Sequence, residues 1–210
     1  MKCAPFLLFL VFASPVQAYQ YYYTGVSNTA KVAYTTSARL RMDAHPRCRG
    51  TSCHAIAWTA LWDIGGTNQY VEVGIGYSDR ARCPKRASVA LWWASPQEPS
   101  GFFIGCVPKG TEVTVSATRY DGYEGVTATW EWDGGYETWW LHTPGWSQGP
   151  GIHPTKIEVY SVSDWWTPWP VALSVSEVLL YDEDTEAFLQ QSEPYWAIPD
   201  STINAFAVNY

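Results

Sequence analysis

Tyr70-Val-Glu-Val-Gly-Ile-Gly-Tyr77 alternates aliphatic residues with a carboxylate and two glycines. Strand side chains point alternately to opposite faces, so Val71, Val73 and Ile75 share one face and Glu72, Gly74 and Gly76 take the other. The glycines leave room beside Glu72, where a backbone or a ligand can approach closely. Lys156-Ile-Glu-Val-Tyr160 has the same pattern, with Ile157 and Val159 on one face and Glu158 on the other. If both strands lie in one sheet, Glu72 and Glu158 come to one face. Two readings stay open at this point: a pair of catalytic carboxylates, or ordinary polar positions on half-solvated strands.

Outward from this stretch, runs of Val, Thr, Tyr and Trp recur every ~8–15 residues between Gly, Pro, Asn and Asp, and no helical period is sustained. Strands are expected over 30–42, 54–63, 70–77, 88–94, 112–119, 127–133, 138–142, 156–161, 175–181 and 205–208. That many strands in one domain predict an all-β fold, a two-sheet antiparallel jelly roll of the concanavalin-like β-sandwich type.

Residues 1–18 begin with Lys2, continue through the apolar run Phe6-Leu-Leu-Phe-Leu-Val-Phe12 and end on the small-residue pattern Val16-Gln-Ala18. This reads as a secretory signal peptide, with a run too short to span a bilayer. The expected mature protein, 19–210, is a single domain, soluble, secreted and extracellular, and monomeric. Removing the signal takes away Lys2, leaving 12 of the 13 basic residues against 20 acidic ones, a net charge of about −8. Nucleic acid and anionic membrane are therefore poor partners.

Four cysteines remain, and they allow three pairings in an oxidising compartment. Cys48–Cys53 would close a turn rich in Pro, Arg, Gly and Ser. Cys83–Cys106 would tie two loops flanking the strand near 87–93. No Cys-x-x-Cys pair exists, and no cysteine has ligand spacing to His142 or His153, so no metal or other cofactor is expected. A Gly-x-Ser-x-Gly nucleophile setting and a phosphate loop are likewise missing.

Thirteen Trp and fourteen Tyr exceed what a core of this size needs, so part of them should line a surface or cleft. Adjacent pairs such as Trp92-Trp93 and Trp139-Trp140 cannot place both rings on one face of a strand. Exposed rings in a groove suit sugars or extended peptides; rings between sheets or under loops are plain packing.

Several of these pieces resemble the neprosin family of glutamic peptidases. Tyr70-Val-Glu-Val-Gly-Ile-Gly76 resembles the segment around the family's first catalytic glutamate, of the form Ile-Glu-Ala-Gly-Trp. Ile157-Glu-Val-Tyr-Ser161 resembles its second, Gly-Gly-Glu-Val-Tyr-Ser. Tyr23-Thr-Gly-Val-Ser27, Ala57-Trp-Thr-Ala-Leu-Trp62, Thr138-Trp-Trp-Leu141 and Val175-Ser-Glu-Val-Leu-Leu-Tyr-Asp182 are similar to further pieces of that domain in the same order. The related eqolisins carry Gln at the first site, where this chain has Glu72. The resemblance implies a jelly roll with a glutamate on its concave sheet, a Glu72/Glu158 pair, cleavage near proline, and substrate contacts from Trp58, Trp139 and Tyr160.

Two carboxylates held side by side cannot both ionise cheaply, so they share a proton at moderately acidic pH and supply a base and an acid together. The leading expectation is thus a secreted, acid-acting glutamic endopeptidase acting on protein or peptide substrates. Two alternatives stay beside it. A glycan-binding or glycan-hydrolysing jelly roll would use the aromatics, and two carboxylates flanking a sugar bond are that chemistry too. A catalytically inactive member of the fold would agree with the short interval after Ala18 and the short segment between His142 and Thr155.

Overall fold

In a computed structural model the aliphatic face expected at 70–77 is the inside of the molecule: Val71, Val73 and Ile75 all lie in the main core. The structure describes residues 20–26, 32–45, 53–78, 82–84, 88–152, 155–161, 172–182, 187–190 and 196–197. Among them the elements are strands alone: β1 (Gln20–Val26), β2 (Thr35–Ala44), β3 (Cys53–Asp63), β4 (Tyr70–Ser78), β5 (Ser88–Ser95), β6 (Glu98–Pro108), β7 (Glu112–Arg119), β8 (Gly125–Trp132), β9 (Gly135–His142), β10 (Gly151–Ile152), β11 (Thr155–Ser161), β12 (Ala172–Asp182), β13 (Ala187–Gln190) and β14 (Trp196–Ala197). They form two antiparallel sheets. One runs β14-β1-β11-β3-β4-β5-β6, with β10 also paired to β3; the other runs β13-β12-β2-β7-β8-β9. The fold is the all-β sandwich expected of a jelly roll.

The sheets meet on alternating aliphatic positions, as period-2 patterning requires. Ala38, Leu40 and Met42 of β2, with Val113, Val115 and Ala117 of β7 and Val126, Ala128 and Trp130 of β8, face Ala55, Ala57 and Leu61 of β3 and the aliphatic face of β4. One polar seam crosses this interior. Thr59 Oγ1 lies 2.8 Å from Thr36 Oγ1 on the opposite sheet and 2.9 Å from Thr155 Oγ1 beside it. All three residues are fully buried, so the hydroxyls satisfy one another.

The outward face of the second sheet is polar. Across β7, β8 and β9 its rows read Thr118, Thr127, Trp140, then Ser116, Thr129, Thr138, then Thr114, Glu131, Tyr136.

Three expectations need correction or relocation. β6 was not anticipated, because Pro99, Gly101 and Gly105 interrupt it; its strand state comes from pairing with β5, a tertiary effect that overrides local propensity. The bridge Cys83–Cys106 is present, with Cα atoms 5.7 Å apart. Cys106, however, sits within β6 opposite Ala90 rather than in a loop. The pair Cys48–Cys53, the signal segment and the strand expected over 205–208 lie outside the described residues and side chains. Among the described residues no helix is long and apolar enough to cross a membrane.

Candidate active site

Positions 56, 58, 60 and 62 of β3 alternate with its core positions and so emerge on the outer face of the first sheet, away from the second. Neighbouring strands supply Tyr70 and Glu72 from β4, Trp92 and Ala94 from β5, and Phe103 from β6. Trp58, Ala60, Trp92 and Ala94 are buried there as a second apolar cluster, with Ile56, Trp62, Tyr70 and Phe103 packed around it. Trp58 and Trp62 stack at 6.3 Å between centroids, and Trp62 meets Tyr70 at 6.3 Å and 58°.

Glu72 stands half-buried in this aromatic setting. Its partners in register are Ala60 on one side and Ala94 on the other, two of the smallest side chains available. Neither directly opposed side chain is larger than a methyl group. Tyr70, two residues earlier on the same face, feels it: burial pushes the phenol above its ordinary value of 10.0, and the charge of Glu72 adds to the rise. Tyr70 is thus a neutral hydroxyl across the working pH range, a donor next to a carboxylate.

Gly74 and Gly76 serve the backbone approach expected of them. A Cβ at Gly74 would stand 2.2 Å from the Ala57 carbonyl oxygen, and one at Gly76 would stand 2.6 Å from that of Ala55. Only glycine lets β4 lie this close to β3. The Gly74 carbonyl in turn accepts a 3.0 Å hydrogen bond from the indole N–H of Trp130, which reaches through the core from the other sheet.

A small open groove lies on this face. Glu72, Trp92 and Ala94 line it together with Ile56 and His54 of β3 and with Pro99, Ser100, Gly101 and Phe103 of β6. Gly101 takes φ +78°, a left-handed conformation natural for glycine, at the irregularity where β6 shifts register against β5. Phe102, itself exposed, then packs on Trp93 on the face opposite the groove, and Phe103 pairs with Trp92 on the groove side. The Trp92 Nε1 atom is buried without a hydrogen-bond partner among the described residues, a costly state for a donor in the wall of a groove.

Glu158 shares the face of Glu72 by register, since it pairs with Ile56 and Ile56 pairs with Gly76. Positions 72 and 158 are not direct neighbours in the sheet. They are separated by β3 and by four positions along the strands, roughly 13 Å along and 10 Å across, or ~16 Å between Cα atoms at ordinary strand spacings.

The expected substrate contacts divide. Trp58 is on this face, and position 160 joins it by register opposite His54. Trp139 is elsewhere: it belongs to the second sheet and packs on Phe102, 5.8 Å between centroids, at the side of the sandwich. The short segment after β9 is tied down rather than draped over the groove. The buried Arg119 guanidinium lies 5.1 Å from the Trp146 ring centroid, donates to the Trp146 carbonyl, and pairs at 2.8 Å with Asp121, which also accepts from Tyr34 and the Gly149 N–H. Among the described residues no cluster of three His, Cys, Asp or Glu is placed to hold a metal ion. Sequence reading passed over Tyr70, Trp92, His54 and Phe103. The first of these was in reach, being two residues from Glu72 on the same strand; the others depend on strand neighbours that sequence alone does not give.

No protein-family model matches the chain, and no curated protein matches it. Solved structures do. The crystal structure of scytalido-glutamic peptidase with a peptide-based transition-state analogue superposes with a TM-score of 0.53 at 13% identity, covering 84% of this chain and 89% of that one. The structure of SCP-B, a member of the eqolisin family of peptidases, in complex with the tripeptide Ala-Ile-His gives a TM-score of 0.53 at 12% identity over the same shares. At such identities the likeness is one of fold.

Proposed function

We propose that the chain is a glutamic-type endopeptidase working on the outer face of its first sheet, with Glu72 as the general base. The observation that carries this reading is the setting of Glu72: a half-buried carboxylate between two alanines, beside a neutral phenol, in an aromatic groove on a sandwich shared with glutamic peptidases. In the proposed step the Glu72 carboxylate takes a proton from water as the oxygen attacks the scissile carbonyl. The Tyr70 O–H donates to the developing oxyanion. The proton held on Glu72 then passes to the departing amine, and the carboxylate is restored. Trp92 and Phe103, which line the groove, give an extended peptide its apolar contacts.

Glu158 and Tyr160 belong to the same face. The ~16 Å between Cα positions 72 and 158 is the reach of about five extended residues, so Glu158 is assigned to the distal part of the bound peptide. Secretion, action at acid pH and preference near proline complete the proposal on the strength of the neprosin resemblance.

The separation of the two glutamates favours one competing reading, a sandwich that keeps the fold without the paired chemistry. Casein digestion from about pH 3 to about pH 7, with wild type and Glu72→Ala in parallel, decides between them. Acid-dependent cleavage that disappears in Glu72→Ala, with circular dichroism unchanged, supports the peptidase. Wild-type protein that cuts nothing, or a Glu72→Ala variant that cuts as well, sinks it.

A further inference from the structure

The polar outward face of the second sheet carries three large rings in solvent. Trp140 is 50% exposed, Tyr136 60% and Tyr123 62%. Their arrangement is built. A Cβ at Gly125 would meet the Trp140 indole at 2.2 Å, so the absence of a side chain there lets the ring lie down on the sheet with its other side open. Tyr123 braces it edge-on, 6.2 Å between centroids at 85°. Tyr136 stands four residues away on the same strand and face, ~13 Å along β9. Thr138 lies between the two rings, with Thr127 and Thr129 beside it on β8.

We propose that this face docks a neutral polysaccharide, stacking sugar rings on Trp140 and Tyr136 with the threonine hydroxyls between them. A pyranose matches both features of this face. Its flat C–H side suits the electron-rich side of an aromatic ring, and its equatorial hydroxyls exchange hydrogen bonds with a hydroxyl-bearing surface. The charges select against other occupants. Glu131, Asp133 and Glu124 are exposed around the rings, while Arg39 and Arg41 on the same face are paired with Glu112 and Asp43. Anionic partners such as nucleic acid, acidic glycans or anionic lipid are therefore disfavoured. An aliphatic protein surface would find threonines, not leucines, between the rings. The site lies on the sheet opposite the one that carries Glu72, and the proposal does not depend on peptidase activity.

The test is retention of the full chain on microcrystalline cellulose, chitin and a neutral soluble β-glucan, by pull-down and affinity electrophoresis. Wild type is expected to be retained on at least one of them. Trp140→Ala and Tyr136→Ala should each weaken retention about tenfold, the size of a lost anchoring contact. Gly125→Ala keeps both rings but lifts the indole off the strand, so it should weaken retention as well; circular dichroism and casein digestion should stay at wild-type level in all three. Failure of the wild type to bind any of these glycans overturns the proposal, as does binding that survives Trp140→Ala. So does a dimer in sedimentation that Trp140→Ala dissolves while glycans have no effect, since the face would then join two copies of the chain.

Discussion

Trp130 donates its indole N–H across the whole core to the carbonyl oxygen of Gly74, 3.0 Å away, two residues beyond Glu72. The strand that carries the candidate base is therefore anchored from the opposite sheet at a point where its own glycine leaves the backbone bare. Trp130 is fully buried, so this bond is shielded from water. Trp130→Phe keeps the aromatic volume nearly intact and removes the donor. Loss of this bond should cost about 0.5–1.5 kcal/mol in urea unfolding. Casein turnover should fall with it, because β4 loses the bond that holds Glu72 in place. A stability change within ~0.5 kcal/mol would mean that the bond contributes nothing net.

Gly74→Ala tests the close approach of β4 to β3. The added methyl carbon would have to share space with the Ala57 carbonyl oxygen, a backbone atom that cannot swing aside. Overpacking of this kind costs ~1–3 kcal/mol or more, and the strands must part to relieve it. Gly105→Ala on the edge strand β6 is the control, since a Cβ there meets only Leu91 at an ordinary 3.8 Å. Equal stabilities for the two variants would refute the reading of Gly74 as a spacing residue.

The alternation at 70–77 was readable because one period did two jobs: it defined the strand and it assigned Glu72 to the face opposite Val71, Val73 and Ile75. The same rule separated Trp92 from Trp93 and Trp139 from Trp140, and in each pair one ring does point away from the other. What the rule cannot give is which strands become neighbours. Trp139 was therefore expected beside the substrate, although its strand pairs into the other sheet. For the same reason the four-position offset between Glu72 and Glu158 was invisible: register across β3 is decided by long-range pairing, not by either segment.

Stability should decline in two stages as the pH falls. Burial, and then the charge of Lys109, hold the His45 pKa below its ordinary 6.5. The unfolded chain takes up a proton near 6.5 that the folded chain refuses, so stability present above that pH begins to be lost below it. Asp121 is kept ionised by Arg119 first and Tyr34 next. For Asp63, burial works against the charge, but hydrogen bonds from Thr67 and Gly65 outweigh it and the pKa ends below 3.8. Stability from both carboxylates is complete above 3.8 and disappears as the pH drops through their folded values. Urea unfolding at about pH 8, 5 and 3 should trace both stages. His45→Gln should remove the first and Asp63→Asn should shrink the second; a pH-independent midpoint would contradict the assignment.

The separation of Glu72 and Glu158 makes its own prediction about how their effects combine. Side-by-side carboxylates that share one proton act as a unit, and removing either gives most of the effect of removing both. Groups ~16 Å apart at their Cα atoms act independently, and their free-energy changes add within ~0.3–0.5 kcal/mol. Glu72→Gln keeps a polar group of the same shape, whose amide can donate toward an oxyanion, so measurable casein cleavage should remain where Glu72→Ala has none. Glu158→Gln should raise KM for long peptides more than it lowers kcat, because it touches the distal substrate rather than the reacting carbonyl. The double variant Glu72→Gln/Glu158→Gln should then lose the product of the two single losses in kcat/KM. A double variant no worse than Glu72→Gln alone would place the two carboxylates in one proton-sharing unit during turnover, and β11 would have to slide along β3 when substrate binds.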